Sequence, residues 1–136
     1  MARRWLCAVA AGLGYGAACF ARTGGGPGGR AGRVALRDGG YSLFLFPDAA
    51  AVRALAPDFA ALRAQGDVML IATAPGEDSD IVSRVFVPGA GVDEDPVTGS
   101  AHGLLTPFWA KRLNKTTLSA FQASVRGGRL GCTLDG

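Results

Sequence analysis

The chain has 136 residues, 21 of them glycine, and 49% of the residues are hydrophobic against 18% charged. This length fits one modest domain but not two independent ones, and the apolar content excludes wholesale disorder. The net charge of +3 comes from basic residues spread along the chain with no dense run, so we expect no nucleic-acid partner.

Three cysteines, Cys7, Cys19 and Cys132, occur in the chain. Their number is odd and their spacing lacks the close pairs of a zinc site, which argues against a disulfide framework and a metal centre. We expect them to fill space as small apolar side chains in a reduced protein. The sequence shows no nucleophilic triad and no phosphate-binding loop of the Walker type, and we predict no metal.

Residues 1–32 differ in kind from the rest. Arg3 and Arg4 precede an apolar stretch at 5–21, and a glycine-rich tract typical of a flexible linker follows at 24–29. A basic start, an apolar middle and small residues before a polar stretch are typical of a signal or targeting peptide. A remnant of a longer coding region explains the same segment equally well.

A globular pattern begins at residue 33 with a predicted hairpin and two short helices. A turn at Asp38-Gly39-Gly40 separates two strand-like runs. Asp48 offers an N-cap to the first helix, and Pro57 with Asp58 begins the second. The elements predicted here are strands 34–36 and 41–46 and helices 49–55 and 57–63.

The rest of the chain predicts four strands and one longer helix. Two apolar runs, the first ended by Pro75 and Gly76, are typical of buried strands. A loop at 88–97, rich in turn formers, leads into the helix, which Pro107 should bend or shorten. This mixture indicates an α/β or α+β layer fold. The elements predicted here are strands 67–73 and 81–87, helix 98–113, and strands 116–124 and 129–134.

Polar side chains concentrate at 94–102, at the expected start of the long helix. The free amides of a first helical turn and the positive end of the helix dipole bind anions. A carboxylate or phosphate would be held by the amides of Gly99 and Ser100, with a hydroxyl from Thr98 or Ser100. Ordinary capping by Asp95 or Thr98 explains the same residues without any function, and composition alone favours that alternative.

The segment Glu-Asp-Pro-Val-Thr-Gly-Ser-Ala-His at 94–102, followed by Pro-Phe-Trp-Ala at 107–110, closely resembles the phenazine biosynthesis PhzF-like family. The resemblance covers residues 41–136, whereas 1–32 show no match. It implies a diaminopimelate-epimerase-like fold, in which two related α/β halves each wrap a mixed sheet around a central helix. Family chemistry implies a cofactor-free isomerase that shifts a proton at carbon in a small carboxylate bound between the halves.

The resemblance also implies roles for individual residues. Asp95 and Ser100 correspond to active-site residues that bind substrate and handle protons, and Thr98 and Gly99 lie in the anion-binding turn with Ser100. Related epimerases use two cysteines as acid and base, but Thr98, Gly99 and Ser100 stand at the equivalent helix start, so we expect no thiol chemistry. His102, the only histidine, receives no role, because a lone helical histidine is more often structural.

One departure from the family bears on activity. The principal acid/base of the family is a glutamate in the first half, and neither Glu77 nor Glu94 stands in the matching context. We therefore expect residues 33–136 to be a truncated C-terminal half domain that is weak or inactive alone. The alternatives are a truncated gene product and a non-catalytic binding or oligomerisation module, in which a homodimer or a partner half domain covers exposed apolar surface.

The expected location is the cytoplasm, where PhzF-like proteins generally occur and where unpaired cysteines remain reduced. Export through residues 1–21 is the alternative. We expect no membrane partner, because the apolar run is short for a spanning helix.

Overall fold

A computed structural model describes residues 20–22, 33–38, 40–64 and 66–135. Predictions that concern 1–19 and 23–32, including the leader, the linker and the first two cysteines, lie outside the described residues.

Within the described ranges the chain forms strands, three α-helices and a short 3₁₀ helix at Pro88–Ala90. The helices are α1 (Ala49–Arg53), α2 (Phe59–Arg63) and α3 (Gly99–Leu113). The strands are β1 (Phe20–Arg22), β2 (Arg33–Asp38), β3 (Tyr41–Leu45), β4 (Leu55–Pro57), β5 (Met69–Pro75), β6 (Ile81–Val87), β7 (Val92–Asp95), β8 (Thr117–Gln122) and β9 (Gly128–Thr133).

Most strands join one mixed sheet in the order β2-β3-β5-β6-β8-β9. The β3–β5 and β6–β8 pairs are parallel and the other pairs are antiparallel. Two strands share the second edge of β6, since β8 pairs with Ile81–Ser83 and β7 pairs with Val85–Val87. A separate antiparallel pair joins β1 and β4. The predicted α/β class with a mixed sheet is confirmed.

Asp48 is the N-cap of α1, as predicted, whereas α2 begins at Phe59, two residues later than predicted, with Asp58 as its N-cap. The carboxylate of Asp48 accepts a hydrogen bond from the Ala51 amide at 2.7 Å, and that of Asp58 accepts one from the Ala61 amide at 3.0 Å. The first helix ends two residues earlier than predicted because the chain enters β4 at Leu55.

The core has two layers, one on each face of the sheet. Successive residues of a strand point to opposite faces, so Leu70 and Ile71 enter different layers. On one face, Val52 of α1 and Leu62 of α2 are buried; on the other, Trp109 of α3 is buried against the sheet. The strand residues of the α3 layer come from β3 to β9: Leu43, Ile71, Ile81, Val85, Leu118, Ala120 and Cys132.

The sequence prediction for the segment before α3 is wrong in detail. The segment 88–97 is not a plain loop, since it contains the 3₁₀ helix and β7. Of the two effects predicted for Pro107, shortening does not occur, because α3 continues to the predicted end at Leu113. The proline removes only the hydrogen bond to the carbonyl of Gly103, and both residues are exposed, so water can replace that bond.

In the described part of the chain, no helix has the length and apolar content needed to cross a bilayer.

Candidate functional site

The first turn of α3 has no side-chain cap. Thr98 occupies the N-cap position, but its hydroxyl donates to Oδ2 of Asp95 at 2.5 Å instead of accepting from the helix. The sequence-based alternative of ordinary capping by Asp95 or Thr98 is therefore wrong. Gly99 and Ser100 are exposed, and a Cβ placed on Gly99 would meet no atom within 4 Å. Both residues belong to the first turn, at the positive end of the helix, where backbone amides have no partner within the helix.

Gln122, at the end of β8, is completely buried beside this turn. Its Oε1 accepts from the Thr98 amide at 2.8 Å, while its Nε2 donates to the Asp95 carbonyl at 2.7 Å and to the Thr98 hydroxyl at 3.0 Å. One side chain thus satisfies the polar groups that link Asp95 to the helix start. The buried amide would be costly to leave unpaired, so these bonds fix the geometry of the turn.

His102, one helical turn after Thr98, also bonds to this turn. Its Nδ1 lies 2.7 Å from the Thr98 carbonyl, which can only accept, so Nδ1 carries the proton. Its Nε2 lies 3.4 Å from the hydroxyl of Ser83. Burial lowers the pKa of His102 below its usual 6.5, although the bond to Thr98 opposes this shift. His102 is therefore neutral at pH 7 and supports the backbone.

Arg84 of β6 anchors β7, the strand that ends in Asp95. Its guanidinium donates to both carboxylate oxygens of Glu94 at 2.8 Å, and both side chains are largely buried. The same guanidinium donates to the Leu55 carbonyl at 2.7 Å, just after α1. A bidentate pair of this kind restricts the strand and the carboxylate that follows it.

The turn between β8 and β9 closes the other side of the site. The hydroxyl of Ser124 donates to the Pro96 carbonyl at 2.8 Å and accepts from the Gly127 amide at 3.0 Å. A Cβ on Gly128 would collide with the side chain of Val97. Glycine at 128 therefore permits this close approach of β9 to Val97 in the segment before α3.

The structure brings the four predicted site residues together at one helix start: Asp95, Thr98, Gly99 and Ser100. Gln122 and Arg84 also contribute to the site and were not predicted from the sequence. A signal for Gln122 existed, because it continues the inward alternation of Leu118 and Ala120 in β8, where a polar residue requires buried partners. Among the described residues, no group of three or more His, Cys, Asp or Glu side chains is placed to hold a metal ion.

The chain is thus a mixed α/β protein in which an uncapped helix start lies beside a carboxylate. Comparison with known proteins identifies its family. The family profile PhzC-PhzF, described as phenazine biosynthesis-like protein, matches residues 34–136. The chain belongs to this family.

Individual relatives agree with that assignment. An uncharacterized isomerase of Pseudomonas aeruginosa is 56% identical over 94 residues, which cover 69% of this chain and 36% of the relative. The human phenazine biosynthesis-like domain-containing protein is 44% identical over 75 residues, covering 53% of this chain and 26% of its own length. The chain therefore spans about a third or less of these relatives.

A solved structure supports the fold independently. The crystal structure of a PhzF family protein from Enterococcus faecalis superposes with a TM-score of 0.71 at 43% identity. The superposition covers 84% of this chain and 46% of that protein. The described α/β unit therefore corresponds to about half of a PhzF-type chain.

Proposed function

We propose that this chain carries the carboxylate-binding part of a cofactor-independent isomerase that shifts a proton at carbon in a small carboxylate substrate. Membership of the phenazine biosynthesis-like family and the isomerase names of relatives support this reaction class. The observation that carries the proposal is the uncapped, exposed first turn of α3, which offers free amides to an anion beside the carboxyl group of Asp95.

In this proposal the amides of Gly99 and Ser100 bind the substrate carboxylate, with the Thr98 carbonyl and amide held rigidly behind them. The Ser100 hydroxyl adds a further hydrogen bond, and Asp95 serves in substrate binding and proton handling. Such binding orients the carbon that loses its proton and the carbon that gains one. The reaction is an isomerisation, because the proton only changes its position within the substrate. Orientation of this kind lowers the barrier without a cofactor.

The principal acid/base that the family resemblance implies is a glutamate, and neither glutamate of this chain is placed for that task. Glu94 is paired with Arg84, and Glu77 is exposed in the turn between β5 and β6. We therefore propose that these 136 residues by themselves isomerise weakly or not at all.

The binding step can be tested with benzoate, a small carboxylate, and benzamide as its uncharged control. In ¹H–¹⁵N spectra, we expect benzoate to shift the amides of Gly99 and Ser100 and benzamide to leave them unchanged. Gly99→Pro removes one amide donor, and proline is favoured at this first helical position, where Thr98 before it has extended backbone with φ −119° and ψ 105°.

The matched control is Gly99→Ala, which adds a similar Cβ but keeps the amide. Loss of one charge-assisted hydrogen bond predicts benzoate binding about tenfold weaker in Gly99→Pro, equivalent to about 1.4 kcal/mol. Equal affinities in the two variants, or shifts that avoid residues 99 and 100, would disprove the proposed site.

A second candidate function, an association module, is favoured by two exposed apolar side chains beside the site. Val97 is 40% exposed and Val125 is fully exposed at the tip of the turn between β8 and β9. A second copy or a partner half domain would cover them on association.

We also propose a cytoplasmic location, as is general for PhzF-like proteins. The buried, unbonded thiol of Cys132 is compatible with a reducing compartment.

A further inference from the structure

The hydrogen bonds around Gln122 leave only one orientation for its amide. The Thr98 amide can only donate, so Oε1 must face it, and the Asp95 carbonyl can only accept, so Nε2 must face that group. Because both contacts agree, the positions of oxygen and nitrogen in this buried side chain are determined by their partners.

This orientation determines where the proton of the Thr98 hydroxyl lies. Nε2 of Gln122 donates to Oγ1 of Thr98 at 3.0 Å, so the hydroxyl is already an acceptor on that side. Its own proton is then directed to Oδ2 of Asp95, 2.5 Å away. Hydrogen bonds therefore run in one direction, from Gln122 through Thr98 to Asp95.

The two carboxyl oxygens of Asp95 consequently differ. Oδ2 is occupied as the acceptor of the Thr98 hydroxyl, whereas no hydrogen bond from the described residues reaches Oδ1. Gln122 itself is held on both sides of β8, where it pairs with Ser83 of β6 and Gly128 of β9. Gln122, the first donor in this series of hydrogen bonds, is therefore held in place by strands on both sides.

We propose that Gln122 is a positioning residue that directs the Thr98 hydroxyl to Oδ2 of Asp95 and leaves Oδ1 as the carboxyl oxygen that meets the substrate. Assigning the substrate to Oδ1 rests on the proposed function. The direction of the hydrogen bonds does not, and it can be measured on the chain without any ligand.

The test uses the ¹³Cβ signals of threonine in an equal mixture of H2O and D2O. A hydroxyl that exchanges slowly with solvent gives two lines, one for each isotope, and a freely exchanging hydroxyl gives one averaged line. We expect two lines for Thr98. Thr73 and Thr106 are internal controls, because their buried hydroxyls donate to the carbonyls of Val82 and His102.

Two variants test the direction of the bonds. Gln122→Met keeps the length of the side chain but removes its polar groups, and Asp95→Ala removes the proposed acceptor. We expect the Thr98 signal to collapse to one line in both, while Thr73 and Thr106 keep two lines. In Thr98→Ser, which retains the hydroxyl, the serine at this position should again show two lines.

Two lines for Thr98 in Asp95→Ala would overturn the proposal, because its hydroxyl would then be donating elsewhere. A single line in the unaltered chain would overturn it as well. Two lines for Thr98 in Gln122→Met, with Thr73 and Thr106 still split, would overturn the role of Gln122, because the hydroxyl would then be directed without it. Should Gln122→Met lose the control splittings through unfolding, Gln122→Leu, a shorter apolar replacement, repeats the test with the same expected result. Benzoate binding is measured separately, so a failure of the proposed function and a failure of this inference give different results.

Discussion

At the scale of single residues, His102 shows how burial turns a titratable side chain into a structural one. Its imidazole is 3% exposed and donates to the Thr98 carbonyl, so the neutral form belongs to the folded state. As pH falls below about 6.5, the unfolded chain gains a proton before the folded chain does, because burial lowers the pKa of His102 in the fold.

The free energy of unfolding should therefore decrease as pH drops from 7 to 5, with a slope of at most about 1.4 kcal/mol per pH unit from this one group. Urea unfolding followed by circular dichroism at several pH values measures this free energy. In His102→Asn, whose amide can still donate to the Thr98 carbonyl, we expect lower stability at pH 7 and a shallower slope. An unchanged slope would show that the histidine is protonated equally in both states.

At the scale of elements, the strand β7 depends on two ion pairs of very different burial. Arg84 and Glu94 are 12% and 14% exposed, whereas Arg63 and Asp93 are 52% and 48% exposed. Removing one partner of a buried pair leaves an uncompensated charge, while an exposed pair contributes little.

We predict that Arg84→Met lowers the free energy of unfolding by about 3 kcal/mol and that Arg63→Met lowers it by less than about 1 kcal/mol. Chemical denaturation of both variants supplies the comparison. A double variant with Glu94→Gln should be less destabilised than the sum of its single changes, because the unpaired carboxylate is gone. Similar losses for the two arginines would mean that burial does not govern the anchoring of β7.

At the scale of the whole molecule, the exposed apolar side chains of Val97 and Val125 predict self-association. If Val97 and Val125 form an association surface, static light scattering should show a mass that rises with concentration. Replacing both by serine should abolish that rise, whereas Leu134→Ser should not. Leu134 is similarly exposed at 39% but lies at the opposite end of the β8–β9 hairpin, where its amide donates to Thr116. A monomer at every concentration would contradict the association role.

The strands and helices that the sequence predicts each have a local signal, either an apolar run or a capping residue. The apolar run at 81–87 predicts β6 with its observed bounds, and Asp48 and Asp58 cap the helices that their positions predict. No local signal predicts β7, because Val92–Asp95 is mostly acidic and becomes a strand only by pairing with β6. Short segments of this kind take their conformation from neighbours rather than from their own composition.

Local sequence signals predict that a helix starts near residue 98 with Gly99 and Ser100 in its first turn, and the motif around them identifies a PhzF-like protein. That the first turn of α3 lacks a side-chain cap is visible only in the tertiary structure. The missing cap depends on Gln122, which lies 24 residues beyond Thr98 and reaches it through the register of β8 in the sheet. Contacts across such separations carry no local signal, because sheet pairing rather than chain neighbourhood creates them.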